Sequence, residues 1–246
     1  MAEVKNILLL GGTEDAVRLN QTLAGHPGAV LTTSLAGRTR KPAHLSGEII
    51  VGGFGGEEGL RQFITVNHIN LVIDASHPFA DRITRNAFNA CAAADIHFLR
   101  LQRPEWKHLP GDHWISVASV EEAAKKLNGF NRIFLSVGRQ ELAPFENCSN
   151  RYFLVRSIEK ADFTPHESDV TFIQSRGPFL IEEEIRLLRE QRIDLLVSKN
   201  SGGKATYAKI EAARALDIPV LMIERPALPD CVTYSEIDDL VAAIGF

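Results

Sequence analysis

The stretch Ile7-Leu8-Leu9-Leu10-Gly11-Gly12-Thr13-Glu14 decides the reading of this chain. Four consecutive apolar residues suit a strand buried on both faces, as in a parallel sheet, and the glycine turn after them opens a segment of helical periodicity. A strand, a glycine turn and a helix N-terminus together aim unpaired backbone N–H groups at an anion, usually the pyrophosphate of a dinucleotide. The glycine fingerprint of such a turn is degenerate here, because its first, third and sixth positions hold Gly11, Thr13 and Ala16. Ala16 still permits close packing of helix on strand, and the Thr13 hydroxyl is a candidate phosphate donor. A purely structural turn is the competing reading.

The next strand bears on that choice. Residues 29–34 read as the second strand of a βαβ unit, and the chain after it runs Ser34-Leu35-Ala36-Gly37-Arg38-Thr39-Arg40-Lys41. An NAD enzyme usually places an acid there for the ribose 2′-hydroxyl. This loop has hydroxyls and three cations instead, which suit a 2′-phosphate, so the expected cofactor is NADPH. The alternative is a solvated basic loop.

Bulk properties exclude several classes. A chain of 246 residues with 45 % hydrophobic and 24 % charged residues is an ordinary globular sequence, long enough for one large domain or two compact ones. No apolar run approaches the roughly 20 residues that span a bilayer, and no signal-peptide pattern is present, so no membrane partner and a cytoplasmic location are expected. The net charge of -4 argues against nucleic acid as a partner. Cys91, Cys148 and Cys231 are odd in number and widely spaced, which indicates neither disulfides nor a zinc site. No metal is expected.

Short apolar runs alternate with helical periodicity along the whole chain, the pattern of parallel sheets with crossover helices. A polar, proline-bearing break at Arg103–Gly111 divides this pattern, giving an expected cofactor domain at 1–102 and a substrate domain at 103–246. The fold class expected is two Rossmann-like three-layer α/β/α domains with mostly parallel sheets.

Ligands of open α/β sheets sit beyond the carboxyl ends of the strands, so the residues that follow each strand are the candidates. After residues 71–75 come Ser76, His77 and Pro78, with Asp74 at the strand end. Pro78 suits the first turn of the next helix, with Ser76 or His77 as its cap. In the second half Ser136, Gly138 and Arg139 follow one strand, and Lys199, Asn200, Ser201, Gly202 and Gly203 follow another as a cationic, glycine-rich turn. That turn is not a Walker A motif, because position 198 is serine and Lys204 is followed by Ala205. The cluster Gly52-Gly53-Phe54-Gly55-Gly56 reads as tight backbone, and Glu182-Glu183-Glu184 as carboxylates at the start of a helix. No tyrosine has a lysine four residues on, and no Gly-x-Ser-x-Gly elbow is present. Metal-independent hydride transfer is compatible with these absences.

Taken together, Ile7–Glu14, Ser34–Thr39, Asp74–Ala80, Ser136–Arg139, Lys199–Gly203, the run Lys209, Glu211, Ala212, Ala213, and Arg225-Pro226 resemble the precorrin-6A reductases of cobalamin biosynthesis. The resemblance covers nearly the whole chain. It implies NADPH on the N-terminal domain, a polycarboxylate tetrapyrrole in an inter-domain cleft, and reduction of a ring double bond of precorrin-6A to give precorrin-6B. Gly11, Gly12, Thr13 and Glu14 would then hold the pyrophosphate, and Ser34, Ala36, Gly37, Arg38 and Thr39 the 2′-phosphate end. Asp74, Ser76, His77 and Pro78 would lie toward the nicotinamide. Ser136, Gly138, Arg139, Lys199, Asn200, Ser201, Gly202 and Gly203 would face the macrocycle. His77 and Lys199 are both candidate proton donors. A cobalt-precorrin-6A reductase, another NADPH-linked reductase and a non-catalytic NADPH sensor remain as alternatives, and the oligomeric state is not legible.

Overall fold

A computed structural model of the chain describes residues 4–37 and 44–245. The chain divides into two compact units, residues 1–104 with 226–246 and residues 105–225.

The first unit is built on β1 (Lys5–Leu10), α1 (Glu14–Ala24), β2 (Ala29–Leu35), β3 (Glu48–Val51), α2 (Glu57–Val66), β4 (Leu71–Asp74), α3 (Asp81–Ala94) and β5 (His97–Leu101). The apolar run in β1 is explained by its position at the centre of the sheet. Ile7 and Leu9 enter one core with Leu19 and Leu23 of α1, while Leu8 and Leu10 enter the opposite core with Leu60 and Ile64 of α2 and Ala87, Ala90 and Cys91 of α3. Burial pushes the Cys91 thiol up to about 12, the behaviour of an inert core cysteine.

The second unit comprises β6 (Trp114–Val117), α4 (Val120–Lys125), β7 (Arg132–Ser136), β8 (Tyr152–Ser157), β9 (Asp169–Gln174), α5 (Ile181–Glu190), β10 (Leu195–Lys199), α6 (Ala208–Ala215) and β11 (Val220–Ile223). The chain then returns to the first unit as β12 (Thr233–Tyr234) and α7 (Ile237–Ile244). Phe134, Leu154, Leu196 and Met222 from the sheet pack with Leu188 of α5 and Ile210, Ala212 and Ala213 of α6.

Among the described residues both sheets are parallel throughout and have six strands, in the orders β3-β2-β1-β4-β5-β12 and β9-β8-β7-β10-β11-β6. Each is the doubly wound order, with its topological switch point between β1 and β4 in one unit and between β7 and β10 in the other. The expected fold class is borne out.

The first division between the units, after Pro104, falls inside the composition break, and a second crossing after Arg225 lies outside the expected scheme. Residues 226–246, assigned by sequence to the second domain, pack with the first. Thr233 and Tyr234 pair with Arg100 and Leu101 of β5, and Leu240, Val241 and Ile244 join the core of Ile7 and Leu9. Two strands escape the sequence reading for physical reasons: β12 is too short to show a period, and β6 follows directly on the proline- and glycine-bearing segment that reads as a linker.

Candidate active site

At the first switch point the chain offers backbone. Gly12 has φ +110°, a value that L side chains rarely adopt, and a Cβ placed there would meet nothing within 4 Å. The turn therefore demands glycine for its conformation and leaves open space above it. Gly11 is tight for a different reason. Its N–H donates to Ser34 O at 2.9 Å, and a Cβ would lie 3.3 Å from the Leu35 side chain.

Thr13 is the N-cap of α1. Its Oγ1 accepts from Ala16 N at 3.0 Å and donates to Ala75 O at 2.7 Å. This corrects the expectation that the hydroxyl serves as a phosphate donor: its one proton ties the β1–α1 turn to the end of β4. The N–H groups of Thr13, Glu14 and Asp15 have no acceptor within the helix, by helix geometry, and they are the donors that an anion would meet. Glu14 belongs to the cradle through its backbone. The carboxylate of Asp15 in the same turn is matched by Arg103, with Nη1 3.0 Å from Oδ2. Arg103 reads as linker in sequence, and only its position just beyond β5 brings it to this helix end. An open glycine turn with free first-turn amides, one acid already neutralised, fits the pyrophosphate of a dinucleotide.

The second strand's contribution is partly described. Ser34 is 7 % exposed inside β2, and exposed Ala36 and Gly37 lead the chain out of it, Gly37 with φ +69°. Arg38 and Thr39 lie outside the described residues. The far end of the loop is fixed by Asn20 of α1, fully buried, whose Oδ1 accepts from Ser46 N at 2.8 Å and whose Nδ2 donates to Ser46 O at 2.9 Å.

Asp74, expected among the cofactor contacts, is committed to partners within the protein. It is 1 % exposed, accepts from Ser76 N at 2.9 Å and Thr84 Oγ1 at 2.7 Å, and is ion-paired with Arg100 Nε at 3.4 Å. Its role is to hold the loop that carries Ser76 and His77. Ser76 Oγ is buried without a hydrogen-bond partner among the described residues. His77 Nδ1 accepts from Phe79 N at 3.3 Å, which leaves the neutral ring's hydrogen on Nε2. Pro78 is buried and stands before α3, in a turn closed by Ala80 N donating to His77 O, so neither Ser76 nor His77 caps that helix.

At the second switch point the groups are ionised side chains. Lys199 at the end of β10 places Nζ 3.0 and 2.7 Å from the two carboxylate oxygens of Glu141, and Glu141 Oε2 also accepts from Gly138 N at 2.7 Å. A Cβ on Gly138 would lie 2.6 Å from that oxygen, so glycine is required for the carboxylate to sit there. Arg139 pairs with Glu159 beyond β8 at 2.9 Å. Ser136 ends β7 opposite Ser198.

Asn200 departs from its expected role as a substrate contact. It is 4 % exposed, and its amide is consumed by the backbone of Trp106, with Oδ1 accepting from Trp106 N at 2.9 Å and Nδ2 donating to Trp106 O at 3.2 Å. Ser201 and Gly202 are buried, and Gly202 and Gly203 have φ of +68° and +82°. The turn does not open directly onto α6, because residues 204–207 intervene and α6 has no side-chain cap. Sequence reasoning missed Glu141, Asn20 and Arg103. Glu184 was read as favouring a helix dipole, but it is 2 % exposed and grips buried Arg156 at 2.7 and 2.9 Å.

Among the described residues no helix is long and apolar enough to cross a membrane. Residues 6–245 match the family model described as precorrin-6x reductase CbiJ/CobK. The chain is 45 % identical over 243 residues to a precorrin-6A reductase of Rhodococcus erythropolis, covering 98 % of this chain and 96 % of that one. It is 31 % identical over 256 residues to a cobalt-precorrin-6A reductase of Methanothermobacter thermautotrophicus, covering 97 % and 83 %. Among solved structures it resembles a CobK precorrin-6A reductase with TM-score 0.89 and 34 % identity, covering 98 % and 96 %.

Proposed function

The chain belongs to the precorrin-6x reductase family, and on that premise we propose that it reduces a ring double bond of precorrin-6A, giving precorrin-6B, with NADPH as reductant, in the cytoplasm. The observation that carries the reading is the open turn at Gly11–Glu14, which has the donors and the space for a pyrophosphate, in a chain matched to that family along nearly its whole length. NADPH in place of NADH is supported by Arg38 and Thr39 after β2, where no acid is available for a ribose hydroxyl. When bound, the nicotinamide supplies a hydride.

The residues of the chain do the rest. The amides of Thr13, Glu14 and Asp15 hold the pyrophosphate, and Asp74 fixes the Ser76–His77 loop near the nicotinamide end. The Lys199 ammonium, oriented by both oxygens of Glu141, delivers the proton that completes reduction of the double bond. Lys199 is favoured over His77, because protonating His77 at Nδ1 would break its bond from Phe79 N. His77 instead offers Nε2–H as a hydrogen-bond donor. Arg139 and the Ser201–Gly203 turn orient carboxylates of the macrocycle.

Identity favours the metal-free substrate, and the cobalt-bearing one is the second reading, favoured by the match to the Methanothermobacter relative. Anaerobic incubation with NADPH and each form of the macrocycle, following cofactor oxidation and the macrocycle spectrum, separates the two. Oxidation with neither form overturns the reductase reading. An Arg38→Ala variant whose KM for NADPH and preference over NADH are unchanged overturns the cofactor assignment.

A further inference from the structure

Several cations at the carboxyl end of the second sheet have a carboxylate partner: Arg139 with Glu159, Arg156 with Glu184, Lys199 with Glu141 and Arg225 with Glu105. Arg176 differs. It is exposed, and among the described residues its guanidinium makes no ion pair or hydrogen bond.

Its backbone, in contrast, is closely held. Arg176 follows β9 in the loop Ser175–Phe179. Ser175 N donates to Ser157 O at 3.1 Å, which ties the loop to the end of β8, and Phe179 N donates to Ala205 O at 3.1 Å, which ties it to the segment after β10. A Cβ on Gly177 would lie 2.7 Å from Ala205 O, so the residue after Arg176 must be glycine for the two segments to meet. The Phe179 ring is stacked 4.2 Å from the guanidinium carbon of buried Arg156. Ser175 Oγ is a buried hydroxyl with no hydrogen-bond partner among the described residues. A solvated surface arginine needs none of this anchoring.

We propose that Arg176 is a carboxylate-binding subsite for the macrocycle: its guanidinium receives one acidic side arm of the tetrapyrrole in a bidentate pair, beyond the contacts assigned to Arg139 and the Ser201–Gly203 turn. This rests on the function proposed above. A planar guanidinium matches a carboxylate with two parallel N–H donors, and holding its backbone in advance reduces the ordering cost of binding.

The test is direct titration of the full-length protein with the metal-free macrocycle, read by its absorbance, alongside anaerobic turnover. Arg176→Met raises the Kd for the macrocycle by about 10- to 100-fold, the range for a hydrogen bond to a charged group, while KM for NADPH stays within about twofold. Arg176→Lys loses less, because the charge remains and the fork is gone. Lys160→Met removes another exposed cation from the same sheet end and leaves Kd unchanged. An unchanged Kd in Arg176→Met, or an equal loss in Lys160→Met, overturns the subsite. Wild-type protein that binds the macrocycle without oxidising NADPH overturns the function proposed above and leaves the subsite to be judged on Kd alone. Wild-type protein that does not bind overturns both.

Discussion

The two switch points share a strand order and differ in what they present. In the first unit β1 leads through Gly11-Gly12-Thr13 into a capped three-turn helix, so the groups offered are backbone amides beside open space. In the second, β7 leads through Val137 and Gly138 into short 3-10 turns at Arg139–Glu141 and Ala143–Phe145, so no α-helix opens directly after the strand and the groups offered are Lys199, Glu141 and Arg139. The same topology thus yields an open, amide-lined turn in one unit and a charged platform in the other. The first turn after the strand decides which, and the sheet does not.

The comparison is broken most severely at Lys199. Replacing it with Met is expected to lower kcat by about 100- to 10,000-fold, the usual worth of a general acid, with NADPH affinity unchanged, in steady-state and binding assays. Equal losses of kcat and NADPH affinity would show that the two switch points do not act separately.

A smaller effect is expected at Gly12. Ala there forces a side chain into positive φ, a strain of about 1–2 kcal/mol, and places a methyl in the space assigned to the pyrophosphate. KM for NADPH rises about tenfold, and the macrocycle Kd is unchanged. If Gly12→Ala instead weakens the macrocycle, the division of labour is wrong.

What the sequence revealed follows from this contrast. The run Ile7–Leu10 was legible because both faces of a central parallel strand are apolar, and Gly11-Gly12 because a backbone site announces itself by the absence of side chains. The ionised site was harder to read. Lys199 and Arg139 stand out as cations, yet Glu141 acquires its role only when the 3-10 turn carries its carboxylate onto Gly138 N. Asn200 looked available because its partner, the backbone of Trp106, lies 94 residues away. Asp74 looked like a ligand because only tertiary structure supplies Arg100 and Thr84 around it. The return of the chain to the first unit after Arg225 was hidden in the same way, since β12 is recognisable only through its pairing with β5.

Amide chemical-shift mapping with 15N-labelled protein tests the central claim most directly. Added NADPH is expected to shift the resonances of Gly11 to Asp15 and leave those of Gly138 and Ser201 to Gly203 in place, and the macrocycle alone is expected to do the reverse. NADPH shifts concentrated at Gly138 and Ser201 to Gly203 would contradict the account.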